Sequence, residues 1–226
     1  MFNGKPITGV SCFISTRQAG DMSVSNEENR RNFLKNAFCT DMKLYMCKQT
    51  HSQNVDTVDK GAPLVFEDTD GLVTFQREDV ILSVTVADCL PVFLFDVESG
   101  AFSVVHSGWK GTGVVLKALQ LMRARPEAVS AVLGPCICGR CYHVDEERRR
   151  IFEEKFGRQD GEYPLGAVVL DGCLDLKAAN ARLLAKSGVK NLAYCEDCTF
   201  TDERFGSFRR EGKNFTRMLA GIGRNI

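Results

Sequence analysis

Residues 80–95 read VILSVTVADCLPVFLF, and this stretch carries a clear strand pattern. Val80 to Val86 is a β-branched run, and Val92 to Phe95 is a second apolar run of strand length. Short apolar runs rich in β-branched and aromatic residues are typical of buried strands. The polar Asp88 and the thiol of Cys89 separate the two runs. The stretch therefore predicts two buried strands that meet at a short segment bearing a carboxyl group and a thiol.

Further strands are predicted on both sides of this stretch. Lys43 to Gln49 alternates apolar and polar residues, and Ala101 to Val105 follows the short turn Glu98-Ser99-Gly100. A turn of this length joins antiparallel neighbours, whereas parallel strands need a long crossover. Additional strands are predicted at Ala131–Leu133 and near Val168 and Asn191. The pattern favours a mixed α and β class with antiparallel pairing in places, and it does not favour a Rossmann-like sheet.

Four helices are predicted from apolar periodicity and from their end signals. Ser25-Asn26-Glu27-Glu28 has the form of a capping box, and a helix is expected to follow it. A second, buried helix is expected to end before Pro126. The second to fourth helices are predicted at Val114–Met122, Asp145–Phe156 and Leu176–Lys186, the last stopped near Gly188.

The composition indicates a single domain that acts on a small molecule. The 226 residues, 44% of them hydrophobic, can bury one sizeable core, so residues 1–226 are expected to form one catalytic domain. The 29 basic and 29 acidic residues cancel, which disfavours nucleic acid or an anionic membrane as a partner. The start Met1–Pro6 shows no export signal, and no stretch has the length and composition of a membrane span. We therefore expect a cytoplasmic protein whose ten cysteines remain reduced.

Three candidate metal ligands lie at the ends of predicted apolar strands. Their side chains bind borderline or soft metals. They are His51 after Gln49-Thr50, Cys89 after Ala87-Asp88, and His106 after Val105. One thiolate and two imidazoles form a suitable zinc ligand set, with a fourth position for water. The three residues are far apart in sequence, so they could equally be a packed thiol and two hydrogen-bonded histidines. Spacing alone leaves both interpretations open.

A wider set of short motifs resembles a known family. The motifs are Lys48-Gln49-Thr50-His51, residues 85–92 (TVADCLPV), residues 105–111 (VHSGWKG), Ser15-Thr16-Arg17, Glu28-Asn29-Arg30, Leu133-Gly134-Pro135 with Ile137, Cys141-Tyr142, Asp175-Leu176, Cys198-Thr199, and Phe205 with residues 207–210 (SFRR). Together they cover nearly the whole chain and are similar to the purine nucleoside phosphorylases once described as laccase-domain or multicopper polyphenol oxidases. The chain departs from that pattern at Lys110, where Arg is usual, at Cys138, where Gly is usual, and after Arg17, where the segment is shorter and lacks the customary Gly-Gly.

The resemblance implies an α+β fold, a four-layer α/β/β/α sandwich with mixed β-sheets. It also implies one zinc ion held by His51, Cys89 and His106. Members of the family cleave adenosine, inosine and methylthioadenosine with phosphate, giving the free base and ribose 1-phosphate or methylthioribose 1-phosphate. They also deaminate adenosine. The expected partners are therefore a nucleoside and phosphate.

Two further residues are considered for the chemistry at the metal. Asp88 is the candidate general acid or base for a zinc-activated water that attacks C6 of adenine. It could instead orient a ligand or cap a turn. Gln49 could contact the substrate or support His51.

Cationic and aromatic residues are candidates for substrate binding. Phosphorolysis requires cations that hold phosphate, and the guanidinium fork of Arg binds phosphate oxygens in pairs. The candidates are Arg17, Lys110, Arg209 and Arg210, although most such side chains are solvated surface groups. Trp109, the single tryptophan, could stack on a purine or cover the core.

The histidine count argues against the older name of the family. A multicopper oxidase needs a mononuclear copper and a trinuclear cluster bound mostly by imidazoles, and the chain has three histidines. A single copper in a site of two histidines and one cysteine is chemically possible, but zinc is favoured. The third histidine, His143, is expected to be a solvated bystander.

The remaining cysteines suggest a second, weaker hypothesis. The chain has two CxxC pairs, Cys138-Gly139-Arg140-Cys141 and Cys195-Glu196-Asp197-Cys198. Two such pairs suggest a structural zinc ion bound by four thiolates. Only Cys141 and Cys198 match the family pattern, whereas Cys138, Cys195 and Cys136 look like additions. Four other cysteines in or beside apolar stretches are predicted to be core thiols: Cys12, Cys39, Cys47 and Cys173.

Two other functional classes stay open at this point. The first is a metal-free cysteine hydrolase or amidase, for example one that edits a cell-wall precursor, with Cys89 as nucleophile and His51 or His106 as base. Its fold would be shared with deamidating toxins that use such a pair. The second is a non-catalytic binding module that retains the site. Full activity of the metal-free protein would favour the hydrolase, and absence of turnover at full metal occupancy would favour the binding module.

Overall fold

Two β-sheets pack face to face, and helices cover the outer face of each. The computed structural model describes residues 2–3, 9–38, 40, 42–76, 78–157, 165–224 and 226. Cys39 and residues 4–6, which entered the sequence predictions, lie outside these ranges. Within the described ranges, no helix combines the length and the apolar character that crossing a membrane requires.

The strands form one larger and one smaller mixed sheet. In chain order they are β1 (Phe2–Asn3), β2 (Ser11–Ile14), β3 (Lys43–Lys48), β4 (Val55–Thr57), β5 (Val65–Glu67), β6 (Gly71–Thr74), β7 (Val80–Val86), β8 (Leu90–Asp96), β9 (Phe102–Ser107), β10 (Val129–Leu133), β11 (Val169–Leu170), β12 (Cys173–Leu174), β13 (Asn191–Cys195) and β14 (Met218–Gly223). The larger sheet has the order β1-β13-β10-β8-β9-β6-β4, the smaller has the order β2-β14-β7-β3-β5, and β11 pairs with β12. β8 and β9 pair antiparallel, as their short turn predicts, whereas β3 and β7 pair parallel.

The helices begin and end close to the positions that the sequence predicts. They are α1 (Glu27–Phe38), α2 (Val114–Met122), α3 (Glu146–Phe156), α4 (Leu176–Ser187) and the short α5 (Phe208–Glu211). Asp145 caps α3 by accepting a hydrogen bond from the Arg148 amide, and Asp175 caps α4 through the Ala178 amide. Such side-chain acceptors satisfy amides that have no partner within the first helical turn.

Three apolar clusters fill the spaces between the four layers. Along β8, Leu94 packs towards helices α2, α3 and α4, whereas Phe93 packs between the two sheets. Along β3, Tyr45 lies between the sheets, and Met46 lies on the opposite face, in the cluster that includes Phe33 of α1. Successive side chains of a strand point to opposite faces, so β3 and β8 each contribute to two clusters. The predicted α/β/β/α sandwich with mixed sheets is confirmed.

Several details differ from the sequence predictions. The strands β1, β2, β4, β5 and β6, each of two to four residues, were not predicted. Strand β14, between β2 and β7, was not predicted either, because Gly221, which leaves space for the Phe13 ring, weakens its strand pattern. Cys12 is exposed rather than a core thiol, because β2 is an edge strand. Cys47 and Cys173 are buried, as predicted.

Candidate metal centre

The structure brings His51, Cys89 and His106 together although 55 positions separate the first from the last. His51 follows β3, Cys89 lies in the turn between β7 and β8, and His106 is part of β9. One ligand atom from each residue lies within 4.8 Å of the other two, and Cys89 Sγ is 3.9 Å from His51 Nε2. The two imidazole rings meet edge to face, with centroids 4.9 Å apart. The strand ends therefore place two nitrogen donors and one sulfur donor around a common point.

Asp70, just before β6, orients both histidines, and sequence reasoning missed it. Its carboxylate is fully buried and accepts a hydrogen bond of 2.8 Å from His106 Nδ1. It also accepts the backbone N–H of Thr50, His51 and Ser52 and the hydroxyl of Ser52. The Asp70 carbonyl in turn accepts the His106 amide at 2.7 Å. A carboxylate that fixes the tautomer and direction of a histidine is the usual support of a metal ligand.

Close packing fixes the positions of Cys89 and His51. A side chain at Gly108 would place its Cβ 2.9 Å from the His51 ring and 3.2 Å from Cys89 Sγ, so glycine is needed there. His51 itself has φ of 62°, a left-handed conformation that non-glycine residues rarely adopt. The hydrogen bonds to Asp70 on both sides of His51 hold this conformation.

The site forms a charged cluster in the metal-free chain. Burial opposes the thiolate of Cys89, but the charge of His106 and hydrogen bonds from both histidines lower the pKa of Cys89 to about 6. Burial likewise opposes the imidazolium, but Cys89 and Asp70 raise the pKa of His106 to about 9. Burial would raise the pKa of Asp70, yet its hydrogen bonds with His106 and Ser52 lower it to about 2. Each group is thus held in the charged form by its neighbours.

These residues fit a metal ion. His106 Nδ1 is occupied by Asp70, so Nε2 is the atom left for coordination, and His51 also presents Nε2 towards Cys89. Two imidazole nitrogens and a thiolate are donors that zinc accepts in a tetrahedral site. The half-exposed position of Cys89 leaves access from solvent for a fourth ligand.

The metal centre opens into a cavity of about 1080 Å³. Of the residues predicted from sequence for the site, Gln49, Asp88, Trp109 and Arg209 line this cavity. Arg17 does not belong to the lining, and it pairs instead with Glu211 at 3.3 Å. Lys110 is also absent from the described lining; its Nζ lies 5.5 Å from the centroid of the Trp109 ring. Phosphate binding by these two cations therefore stays a prediction.

Asp88 and Gln49 make contacts that favour supporting roles. Asp88 Oδ1 accepts the Thr199 hydroxyl and Oδ2 accepts the Arg209 amide, each at 2.7 Å. The Gln49 amide group exchanges hydrogen bonds with the backbone of Thr85, at 2.8 Å in both directions. Asp88 thus ties the Cys89 turn to the start of α5, and Gln49 joins the end of β3 to β7. These contacts agree with the alternatives in which the two residues position the site.

Adjacent arginines at 209 and 210 have different surroundings. Arg210 donates to the backbone carbonyls of Thr199 and Phe200 at 2.8 Å, and also to the Phe205 carbonyl and to Glu211. These contacts engage both terminal nitrogens of Arg210, which favours a loop-stabilising role over the predicted phosphate contact. Arg209 projects to the cavity, where Nη1 donates to the His143 carbonyl at 2.9 Å.

Two further arginines that the sequence did not indicate line the cavity. The Arg148 guanidinium lies 4.6 Å from the Trp109 ring centroid, and the Arg217 guanidinium lies 4.4 Å from the Phe215 ring centroid. Arg148 belongs to α3 and Arg217 directly precedes β14, so no local motif joins them to the metal ligands. Their stacking on aromatic rings holds the cations at the cavity wall.

Comparison with known proteins identifies the family. The family model described as multi-copper polyphenol oxidoreductase laccase matches residues 11–225. The chain belongs to this family. The resemblance stated from the motifs is confirmed.

Relatives in the laccase-type family carry other names. The chain is 30% identical over 223 residues to a purine nucleoside phosphorylase of Clostridium acetobutylicum, which covers 94% of this chain and 91% of the relative. It is 32% identical over 199 residues to adenosine deaminase RL5 from an unknown prokaryotic organism, over 80% of this chain and 75% of the relative. The crystal structure of YlmD from Geobacillus stearothermophilus is similar with a TM-score of 0.81 and 26% identity, over 96% of this chain and 92% of that one.

Among the described residues, one group combines histidine and cysteine donors that could bind the copper named in the family's description. Of the three histidines in the chain, His51 and His106 belong to the metal centre, and His143 is exposed with Nδ1 3.2 Å from Cys173 Sγ. A trinuclear copper cluster needs many more imidazoles than this. The donors at the centre accommodate one ion, and their chemistry permits zinc or copper.

Proposed function

We propose that this chain is a zinc-dependent purine nucleoside enzyme, which cleaves adenosine, inosine and methylthioadenosine with phosphate and also deaminates adenosine. The observation that carries the proposal is the His51, Cys89 and His106 donor set, oriented by Asp70, at the wall of a cavity that also holds arginines and aromatic rings. The names of the relatives, purine nucleoside phosphorylase and adenosine deaminase, agree with this chemistry.

The donor set favours zinc as the ion. His51 and His106 would bind it through Nε2 and Cys89 through Sγ, with Asp70 keeping His106 in the tautomer that coordination requires. When bound, zinc supplies Lewis acidity and lowers the pKa of water at the site towards neutrality. The thiolate, already favoured over the thiol by the two histidines, limits the net charge of the loaded site.

The arginines at the cavity wall supply the charge that phosphate requires. Arg209 is the first candidate, because its backbone is anchored by Asp88 and its Nη1 by the His143 carbonyl. Among the described residues, these contacts engage Nη1 of the Arg209 side chain, so other guanidinium N–H groups remain for a ligand. Arg148 adds a second cation at the same wall. Preorganised cations of this kind bind phosphate without first having to be immobilised.

The cavity also offers apolar surface for a purine ring. Ile137, Tyr142 and Phe215 line it, and Phe215 packs edge to face on Phe208 with ring centroids 5.2 Å apart. Purine recognition by proteins commonly combines such apolar and aromatic contacts with a few polar groups. We assign base binding to this surface and phosphate binding to the arginines.

A paired assay tests the proposed function. Metal content is measured on the purified chain, and products from inosine and adenosine are separated with and without phosphate. We expect about one zinc at the His51 centre, base release only with phosphate, and inosine formation from adenosine without phosphate. Cys89→Ser is expected to lose both zinc at this centre and turnover, and Cys12→Ser, which changes an exposed thiol on β2, serves as the matched control. Turnover that survives in Cys89→Ser would contradict the proposal.

A thiol hydrolase remains the second candidate, because the chain also presents a thiolate next to an imidazolium. The pKa of Cys89, lowered to about 6, and that of His106, raised to about 9, describe such a pair. Removal of metal separates the two functions. The zinc enzyme loses turnover in a chelator and regains it with zinc, whereas a thiol hydrolase keeps its turnover when metal-free and loses it on alkylation of Cys89.

A further inference from the structure

Three other thiols of the chain meet at a second point. Cys138 and Cys141 lie in the loop after β10, and Cys198 lies in the turn after β13. Their sulfur atoms all lie within 4.8 Å of one another, the same limit that the ligand atoms of the first centre meet. None of the three residues is part of the described lining of the large cavity. The cluster is therefore separate from the candidate catalytic site.

The spacing of these sulfurs suits a thiophilic ion. Zinc binds thiolates at about 2.3 Å, so the sulfurs of a tetrahedral site lie about 3.8 Å apart. Closing the observed cluster around an ion thus requires a contraction of about 1 Å at most. Cys198 is buried, whereas Cys138 and Cys141 are half-buried, so the cluster is anchored on one side and faces solvent on the other. The solvent side leaves access for a fourth ligand.

Hydrogen bonds already point at the buried sulfur. The Cys138 amide donates to Cys198 Sγ at 3.3 Å, and Thr201 contacts the same sulfur through its backbone and its hydroxyl. The Cys141 amide donates to the Cys138 carbonyl at 2.9 Å, which closes the CxxC loop into a turn. Donors directed at a sulfur stabilise its thiolate and keep it in place for a metal.

Cys195 does not join the group, although the sequence pairs it with Cys198. Its Sγ contacts Asp197 Oδ2 at 3.2 Å, and it belongs to β13 rather than to the turn. The four-thiolate site considered from the two CxxC pairs is therefore replaced by a site with three cysteines. Cys195 provides a natural control, since it is a buried thiol next to the cluster.

We propose that Cys138, Cys141 and Cys198 bind a second zinc ion as three thiolates, with water as the fourth ligand. The ion would join two segments that support the first centre. Ile137 donates its amide to the Asp88 carbonyl at 3.0 Å, and Thr199 donates its hydroxyl to the Asp88 carboxylate. The second site thus has a structural function: it fixes the two loops that position the Asp88 turn.

The first test counts zinc in the full-length chain purified under reducing conditions. We expect two zinc ions per chain in the wild type and in Cys195→Ser, and one in Cys138→Ser. Amide hydrogen exchange of Thr199, which is bonded to the Cys136 carbonyl, is expected to become faster in Cys138→Ser than in Cys195→Ser. Equal zinc content in Cys138→Ser and the wild type would overturn the proposal.

A second test does not depend on the folding of Cys138→Ser. The metal-free Cys89→Ser chain is loaded with Co²⁺, whose thiolate bonds give a charge-transfer absorption in the near ultraviolet. Since three of four thiolate ligands remain, the band is expected at about three quarters of the wild-type intensity. No band in this chain excludes the second site. An intact mass two hydrogens below that of the reduced chain in freshly purified wild type, with one zinc bound, would show a disulfide in place of the ion and would also overturn it.

Discussion

The two clusters of potential metal ligands differ in what holds their side chains. At the first centre a buried carboxylate, Asp70, binds His106 directly and holds the backbone of His51. At the second cluster backbone and hydroxyl donors from Cys138 and Thr201 contact the sulfur of Cys198. The first opens into the cavity of about 1080 Å³ lined by several arginines and aromatic rings, whereas Cys138 of the second borders a smaller cavity of about 420 Å³. The comparison indicates that supporting contacts and neighbouring space, rather than the donors alone, separate a candidate catalytic centre from a structural one.

The largest expected effect comes from removing the thiol of the first centre. Cys89→Ser is expected to reduce phosphate-dependent base release from inosine by about a hundredfold or more, because it removes a ligand and not merely a supporting group. Initial rates with inosine and phosphate measure it, with Cys12→Ser as the control. A loss of equal depth in Cys138→Ser, with Cys89→Ser active, would reverse the roles that we assign to the two clusters.

Asp70→Asn tests whether the carboxylate distinguishes the first centre. The substitution preserves shape but removes the charge that fixes the His106 tautomer, and zinc affinity at this centre is expected to fall about 10–100-fold. Competition with a chelator of known affinity measures the change. Asp96→Asn is the matched control, because Asp96 is also buried but caps the turn after β8 through the Glu98 amide. Equal affinity losses in both variants would indicate a general loss of stability instead.

Arg209→Gln tests whether the arginine in the cavity of the first centre binds phosphate. Loss of the guanidinium removes charge-assisted hydrogen bonds to phosphate, and the KM for phosphate is expected to rise about tenfold. Arg17→Gln is the control, because Arg17 is an exposed arginine that pairs with Glu211 outside the described lining. Initial rates at varied phosphate and saturating inosine give the KM for phosphate of both variants. An unchanged KM in Arg209→Gln would remove Arg209 from the phosphate site.

Proton release on zinc binding is the smallest and most specific effect. In the metal-free chain Cys89 is a thiolate above about pH 6, because its pKa is lowered, and His106 is an imidazolium below about pH 9, because its pKa is raised. Zinc binding must expel any proton on Cys89 Sγ and on His106 Nε2, while the Nδ1 proton stays on its hydrogen bond to Asp70. The pair is therefore expected to release two protons below pH 6, one between pH 6 and 9, and none above pH 9. Calorimetry of Cys138→Ser in buffers of different ionisation enthalpy counts these protons, and the ultraviolet thiolate absorption of the metal-free chain, compared with Cys89→Ser, shows whether Cys89 is the group that ionises near pH 6. No Cys89-dependent thiolate absorption between pH 6 and 9 would contradict the charged pair.

Local sequence patterns predicted much of the fold. The β-branched run at Val80–Val86 predicted a strand, and the apolar periodicity of Val114–Met122 predicted a helix. Both predictions hold because each pattern lies within the segment itself. The strand Met218–Gly223 was missed, because its glycines are explained only by neighbouring strands: Gly221 lies against the ring of Phe13 on β2, and Gly223 against the Val80 carbonyl on β7. A residue whose identity depends on a distant neighbour carries no local pattern.

The sequence by itself determined the strand ends that carry His51, Cys89 and His106, since apolar runs and the residues that interrupt them are local properties. Tertiary structure alone decided the rest of the site. It placed Asp70 beneath both histidines, directed Arg209 to the cavity and Arg210 to backbone carbonyls, and separated Cys195 from the other thiols. These outcomes depend on distances between segments far apart in the chain, and such distances are set by the packing of the two sheets.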